Sequence, residues 1–319
     1  QEDSNPLTLT MDRARFVEAT FFATYYVAAA TGNDTNSGLS WATAKQTIQS
    51  ALTDACEGDT VVVSNGVYGA IVVPSGVVVR SVNGAENTQI GPVPAGTRAA
   101  YLETGASLAG FAVTGADVIL DGAGIYAESG AQVEACIVSG NATAGAGGGV
   151  YGGSLVNCLI YGNAASNGAG AVDANLTYCT VANNTATNAG GGTKDCTLLS
   201  SIVYGNAPDN NNGGSATYSC MAPLLAGTGN ITNDPVFANA AGENFRLAYE
   251  SPCLGVASSS GVNVDLAGSP RPQPTVYGGA LGYDMGCYEY VPQACFVWTN
   301  GNAVAPYETW VDAAKDVQS

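Results

Sequence analysis

Two aspartates, Asp173 and Asp195, stand 22 residues apart with Lys194 between them, and their types and spacing are the ones in this chain best suited to chemistry. Each lies three residues before an aligned leucine, Leu176 and Leu198, so a repeating fold would bring the two carboxylates close together. Paired acids suit glycoside hydrolysis or a calcium ion. Lys194 is the only basic side chain between Ala99 and Phe245. The chain has no His, which removes Ser–His and Cys–His nucleophile pairs and the commonest zinc ligand. A lysine beside two aspartates also makes an ordinary local ion pair. No catalytic residue is therefore assigned. Asp173 and Asp195 are kept as a calcium-type cation site, and no other cofactor is expected.

Nine cysteines, at positions 56, 136, 158, 179, 196, 220, 253, 287 and 295, form the second chemical set. None falls in a CxxC pattern, and an odd number leaves at least one without an intramolecular partner. Cys136, Cys158 and Cys179 each open a similar segment: CIVSGN, CLIYGN and CTVANN, followed by SIVYGN at Ser201. A buried thiol packs as a small hydrophobe. Across adjacent coils of a repeat, Cα atoms roughly 4.8 Å apart also fall in the range a disulfide permits. Cys220 with Cys253, and Cys287 with Cys295, are further pairs that the sequence leaves open.

What must position these residues is the repeat itself. The four segments end in Asn141, Asn163, Asn184 and Asn206, at intervals of 22, 21 and 22 residues, the length of one coil of a solenoid. A turn asparagine tolerates tight dihedrals, and its amide can bond to the asparagine of the next coil. The reading is a structural ladder of Asn141, Asn163, Asn184 and Asn206, accompanied by Cys136, Cys158 and Cys179. Period-2 alternation places Val156, Cys158 and Ile160, Thr177, Cys179 and Val181, and Leu199, Ser201 and Val203 on the inward face. The same alignment puts Tyr161 and Tyr204 outward at equivalent positions, with Tyr178 on the same strand series. These three aromatics are the carbohydrate-binding residues that the repeat suggests, unless a loop or tail covers them.

Composition agrees with a β solenoid. Gly is frequent at 42 residues and only 11% of residues are charged, as suits short strands broken by tight turns. The balance of 9 basic to 26 acidic side chains gives a net charge of -17, which excludes a nucleic-acid partner because clustered cations are missing. No apolar run is long enough to span a membrane. The fold class expected is all-β, a right-handed parallel β-helix. Trp41, Ala44, Ile48, Leu52 and Ala55 fall at helical spacing and predict one amphipathic helix capping the open end of the core.

The helix followed by GDTVVVSNGVY, the CxVxxN coils, and the tail GNITNDPVF, ENFRLAYESPCLG, VDLAGSPRP and YDMGCYEY together resemble secreted bacterial right-handed parallel β-helix proteins of the pectate-lyase-like group. The resemblance covers about residues 25 to 291. It implies a polysaccharide-active lineage in which lyases hold calcium on acidic residues and use a basic residue, and hydrolases cluster several Asp. This chain departs from both patterns. The tail motif resembles those that precede cell-anchoring sequences, which implies a secreted or cell-surface location.

Residues 1–22 alternate like two short strands and resemble the end of a small β-rich repeat module. Residues 294–319 repeat the opening of the chain: Gly32, Trp41 and Gln49 recur as Gly301, Trp310 and Gln318, each offset by 269 residues. The domain reading is thus 1–22 as a module fragment, 23–293 as the β-helix with its cap and tail, and 294–319 as the start of a next tandem copy. Function is read as a non-catalytic structural or adhesive module of a large tandem-repeat surface protein. Its expected partners are neighbouring units, other chains or surface polysaccharide. A polysaccharide-binding or polysaccharide-degrading β-helix is the alternative.

Overall fold

The computed structural model describes residues 21–275 and 279–292, with the backbone of two further strands, Cys295–Thr299 and Asn302–Tyr307, which pair antiparallel. The chain winds as a parallel β-helix. Its first face has nine strands, from Thr24–Val27 to Ser215–Thr217; the second has eight, from Gly66–Tyr68 to Cys220–Met221; the third has seven, from Ile71–Val73 to Asn211–Asn212. A four-stranded strip, Asp117–Val118 to Thr185–Ala189, follows the second face. Segments 1–20 and 308–319, and with them most of the two flanking modules, lie outside the described residues.

Like residues stack over like because the registers of the three main faces stay in step, the one shift between coils falling in the four-stranded strip, between Ala165 and Asn167. Val61, Val79, Leu108, Val133, Leu155, Leu176 and Leu198 form one inward column. Ile90, Val113, Val138, Ile160, Val181, Val203 and Met221 form a second. All of these are buried. With each large aliphatic side chain worth about 1.5–3 kcal/mol of transfer free energy, these columns drive the winding.

Two corners set the path of each coil. Between the first and second faces a single residue is left-handed: Ala135, Asn157, Tyr178, Ser200 and Tyr218, all with φ near 50°. This residue resets the side-chain alternation, and the expected inward set changes accordingly. Cys158, Ile160, Cys179, Val181, Ser201 and Val203 are buried, whereas Val156, Thr177 and Leu199 precede the corner and are only half-buried. The inward residues before the corner are Leu155, Leu176 and Leu198. Just past it, the thiols of Cys136, Cys158 and Cys179 donate to the carbonyls of Glu134, Val156 and Thr177 at 3.3–3.5 Å. Ser201 Oγ donates to Leu199 O at 3.0 Å in the same way.

The second corner carries the asparagines. Nδ2 of each donates to Oδ1 of the next: Asn141 to Asn163 at 3.1 Å, Asn163 to Asn184 at 3.0 Å, and Asn184 to Asn206 at 2.9 Å. Asn206 Nδ2 donates to Asn210 Oδ1 at 3.1 Å. The backbone N–H of each asparagine donates to the same oxygens at 2.9–3.0 Å. Gly124, Gly149, Gly170 and Gly192 pack against these amides, and a Cβ on any of them would lie 2.8–3.1 Å from the ladder Nδ2. The glycine runs therefore make room for the ladder.

The cap is shorter than the helical spacing predicts. Only Ile48–Asp54 is α-helical, while Trp41–Thr43 is a separate 3₁₀ turn and Trp41 packs on the Tyr26 ring. Asp34 breaks the expected helix by accepting from the backbone of Gln46 and Thr47 at 2.8–2.9 Å, and Thr47 then caps the real N-terminus. Ile48, Ala51 and Leu52 still close the core, and Gln49 Oε1 accepts the Val72 N–H at 2.8 Å. At the far end, Cys220 bridges to Ile231 and the 222–231 loop covers the last coil.

Candidate functional site

The tail from Pro223 to Pro292 decides which faces remain open. It runs back along the outside of the second face, where Phe245, Leu247, Met285 and Cys287 are buried against Leu159, Ala182 and Ile202. Its anchor is a buried ion cluster built from the motif residues Asp265, Arg271, Asp284 and Glu289. Arg271 Nη1 lies 2.6 Å from Glu289 Oε1, both side chains being inaccessible. Nη1 also donates to Asp284 O at 3.1 Å, and Nη2 to Gly286 O at 2.8 Å and Asn157 Oδ1 at 3.3 Å. The guanidinium carbon sits 4.1 Å from the Tyr178 ring centroid.

The left-handed corner residues Asn157, Tyr178 and Ser200 thus serve as the tail's receptor. Asn157 Nδ2 donates to Val264 O at 2.7 Å, and Ser200 Oγ accepts the Ser258 N–H at 3.1 Å. One guanidinium faces three carboxylates here, and burial outweighs the attraction. Desolvation raises Asp284 to about 6 and Glu289 to about 7. Under the same tail the Cys253 thiol contacts that of Cys220. The side chain of Cys295, the other residue in the Cys287 pairing, lies outside the described residues.

This geometry corrects the aromatic set read from the repeat. Tyr178 is fully buried beneath Arg271, so it presents no surface to a sugar. Tyr161 packs on Phe245 and donates its hydroxyl to Glu243 at 3.2 Å. Tyr204 is half-buried and lines a groove with Asn183, Asp234 and Phe237. All three belong to the tail-covered side of the helix.

The aromatic row that faces outward lies on the third face. Tyr101, Tyr126 and Tyr151 occupy one register column. Their rings lie parallel within 1° and 4°, with centroids 5.3 and 5.2 Å apart, the offset-stacked range. All three are half-buried. The column continues through Val172, Lys194 and Asn212. Tyr101 donates its hydroxyl to Glu128, which pushes the phenol up and holds the carboxyl down. Burial, followed by a hydrogen bond to Asp173, raises Tyr151. Arg98 lies over this row, 4.8 Å from the Tyr126 centroid and 5.9 Å from that of Tyr101, fixed by Nε donating to Asp121 O at 2.8 Å. A groove of about 300 Å³ beside it is lined by Val72, Thr97, Arg98, Tyr101 and Leu120.

Asp173 and Asp195 sit at the edge of this face. They hold equivalent left-handed turn positions, with φ of 50° and 54°, where neighbouring coils place Gly152 and Gly213. Lys194 Nζ is 3.9 Å from Asp195 Oδ2, a half-exposed pair of little energetic weight. Among the described residues no group of three or more His, Cys, Asp or Glu is placed to hold a metal ion. The third-face row was present in the sequence as tyrosines at two intervals of 25 residues, a period longer than that of the later coils.

Among solved structures the fold is similar to that of the pectate lyase Pel9A, at 13% identity and a TM-score of 0.45, covering 85% of this chain and 97% of that one. It is also similar to the pectin methylesterase PemA from Erwinia chrysanthemi, at 11% identity and a TM-score of 0.38, covering 66% and 82%. No protein-family model matches the chain, and no curated protein matches it in sequence. The likeness is one of fold. No helix among the described residues is long and apolar enough to cross a membrane.

Proposed function

We propose that this chain is a non-catalytic adhesive module of a secreted or cell-surface tandem-repeat protein: a rigid β-helix that holds one face against a neighbouring surface. The observation that carries the reading is the division of its outside. The tail is locked over the second face by a buried ion cluster, while the third face keeps its parallel tyrosine row half-exposed. A surface built for contact needs an ordered, repeating set of aromatic and polar groups, and this row supplies it. The chemical groups favour binding over turnover, since the central coils offer one lysine and no His. The 269-residue offset between the ends of the chain supports a tandem array in which successive units carry the same face.

Asp173 and Asp195 are proposed as at most a weak calcium bridge to a partner surface, because two half-exposed carboxylates supply few of the roughly 6–8 oxygens that calcium takes. The reading is tested by assaying the protein for lyase and hydrolase turnover on uronic-acid and neutral glycans, alongside binding to the same panel. Binding without turnover is expected. Turnover that Asp173→Ala abolishes would replace the module with an enzyme.

A further inference from the structure

From the third face we infer a binding site for an extended, neutral, equatorially linked polysaccharide lying along the helix axis over Tyr101, Tyr126 and Tyr151. This rests on the adhesive reading and names its ligand. The first argument is period. The ring centroids repeat every 5.2–5.3 Å, because one tyrosine comes from each coil, a step slightly longer than the strand spacing of about 4.7–4.9 Å. That step is close to the advance per sugar of an extended pyranose chain linked through equatorial oxygens, so successive sugars meet equivalent groups. A branched or tightly coiled glycan loses this match after one or two residues.

The second argument is the chemistry along the row. The offset-stacked rings turn their edges, and the parts of their faces that neither the next ring nor Arg98 covers, to the C–H groups of pyranoses, and carboxylates beside them accept hydrogen bonds from sugar hydroxyls. Glu128 adjoins Tyr101, and Asp173 adjoins Tyr151. The Arg98 guanidinium lies over the Tyr126 and Tyr101 rings, nearer Tyr126, and lines the groove that extends the row toward Val72.

The third argument is charge. Glu103, Glu128, Asp121 and Asp173 surround these rings, against Arg98 alone until Lys194 two coils beyond Tyr151. A polyuronate, sulfated glycan or nucleic acid would bring further negative charge to an acidic strip. A neutral chain meets no such penalty.

The experiment is titration calorimetry of the intact chain with hexameric β-1,4-linked glucose, xylose and N-acetylglucosamine, and with hexagalacturonate. At least one neutral hexamer should bind more tightly than hexagalacturonate, and Tyr126→Ala should weaken that binding by about tenfold, the equivalent of one ring-stacking contact. Tyr161→Ala, under the tail, should leave it unchanged. Far-ultraviolet circular dichroism and the unfolding midpoint of Tyr126→Ala establish that the variant is folded, and Tyr126→Phe, which keeps the ring, should retain most of the affinity. Preferential binding of hexagalacturonate, or neutral binding indifferent to Tyr126→Ala, would overturn this site and leave the adhesive reading standing. Failure of every hexamer would also overturn the site, whereas turnover of any of them would overturn the adhesive reading itself.

Discussion

Replacing Asn163 by alanine removes the middle rung of the asparagine ladder, and its cost can be worked bond by bond. Asn163 Oδ1 accepts the Asn141 N–H at 3.0 Å and Asn141 Nδ2 at 3.1 Å. Its Nδ2 donates to Val138 O, Tyr161 O and Asn184 Oδ1, all at 3.0 Å. In Asn163→Ala the buried Asn141 N–H loses its acceptor, at about 1–3 kcal/mol, and the lost amide donations add about 1 kcal/mol each. Shared acceptors and local relaxation reduce the sum, so a loss of about 3–5 kcal/mol is expected, large for a single substitution. The assay is urea unfolding followed by far-ultraviolet circular dichroism, with the midpoint falling and the slope unchanged. Asn163→Asp sharpens the test. It keeps an acceptor for Asn141 but sets a carboxylate against Asn184 Oδ1, so the folded-state pKa of the new carboxyl is raised. The stability of this variant must then improve as pH falls toward about 4. An alanine variant within about 1 kcal/mol of the parent, or an Asn163→Asp variant as stable as the parent at neutral pH, would refute the ladder as a structural device.

Three further outcomes follow from the same geometry. Asp284 and Glu289 have folded-state values of about 6 and about 7, raised above the ordinary carboxyl range by burial. The folded state therefore binds more protons than the unfolded state between about pH 4 and 7, and the stability these groups lend falls as pH rises through that window. The size is on the order of 3 kcal/mol for Asp284 alone, read as the flattening of the pH–stability curve in Asp284→Asn. Arg271→Met leaves the carboxylates around it without their cation and should loosen the tail by about 3–5 kcal/mol, seen as limited proteolysis confined to residues 223–292 while the coils resist cleavage. Gly170→Ala places a Cβ 2.4 Å from Gly192 O and 3.1 Å from Asn184 Nδ2. It should cost about 1–3 kcal/mol or more by overpacking, measured by the same unfolding assay.

The sequence displays the solenoid because a parallel register copies each coil onto the next, and stacking turns spatial neighbours into a period. The asparagines and corner thiols are legible for that reason. What period alone conceals is where alternation breaks. Between Leu155 and Cys158 the strand pattern predicts opposite faces for residues an odd number apart, yet both are buried, because Asn157 turns left-handed between them. Asparagine tolerates that conformation, but Tyr178 and Tyr218 take it too, and nothing in a tyrosine announces a left-handed corner. The tyrosine set from the coils fails for a second reason. Whether an outward residue meets water depends on a tail distant in sequence, Phe245 over Tyr161 and Arg271 over Tyr178, and no local pattern reports that.

The tail is also the reason the molecule has a defined functional side. Hydrophobic contacts from Phe245, Leu247 and Met285 would hold it near the second face, but apolar contacts are non-directional and discriminate weakly between successive coils of a repeating surface. A solenoid offers nearly the same groove at every coil, so register along the axis needs a non-repeating contact. Arg271 provides it. Its guanidinium fits one corner, where Asn157 supplies an oxygen and Tyr178 on the next coil supplies a ring. Shifted by one coil, the same arginine would meet Ala135 or Ser200, which cannot supply both. A buried pair such as Arg271 with Glu289 contributes little net stability against an apolar replacement, but a mispaired register would strand the charge. The two tyrosine rows follow from this lock. Tyr161 and Tyr204 lie beneath or beside the tail and become structural, while Tyr101, Tyr126 and Tyr151 keep the open face, so the residues that fix the tail also determine where a ligand can bind.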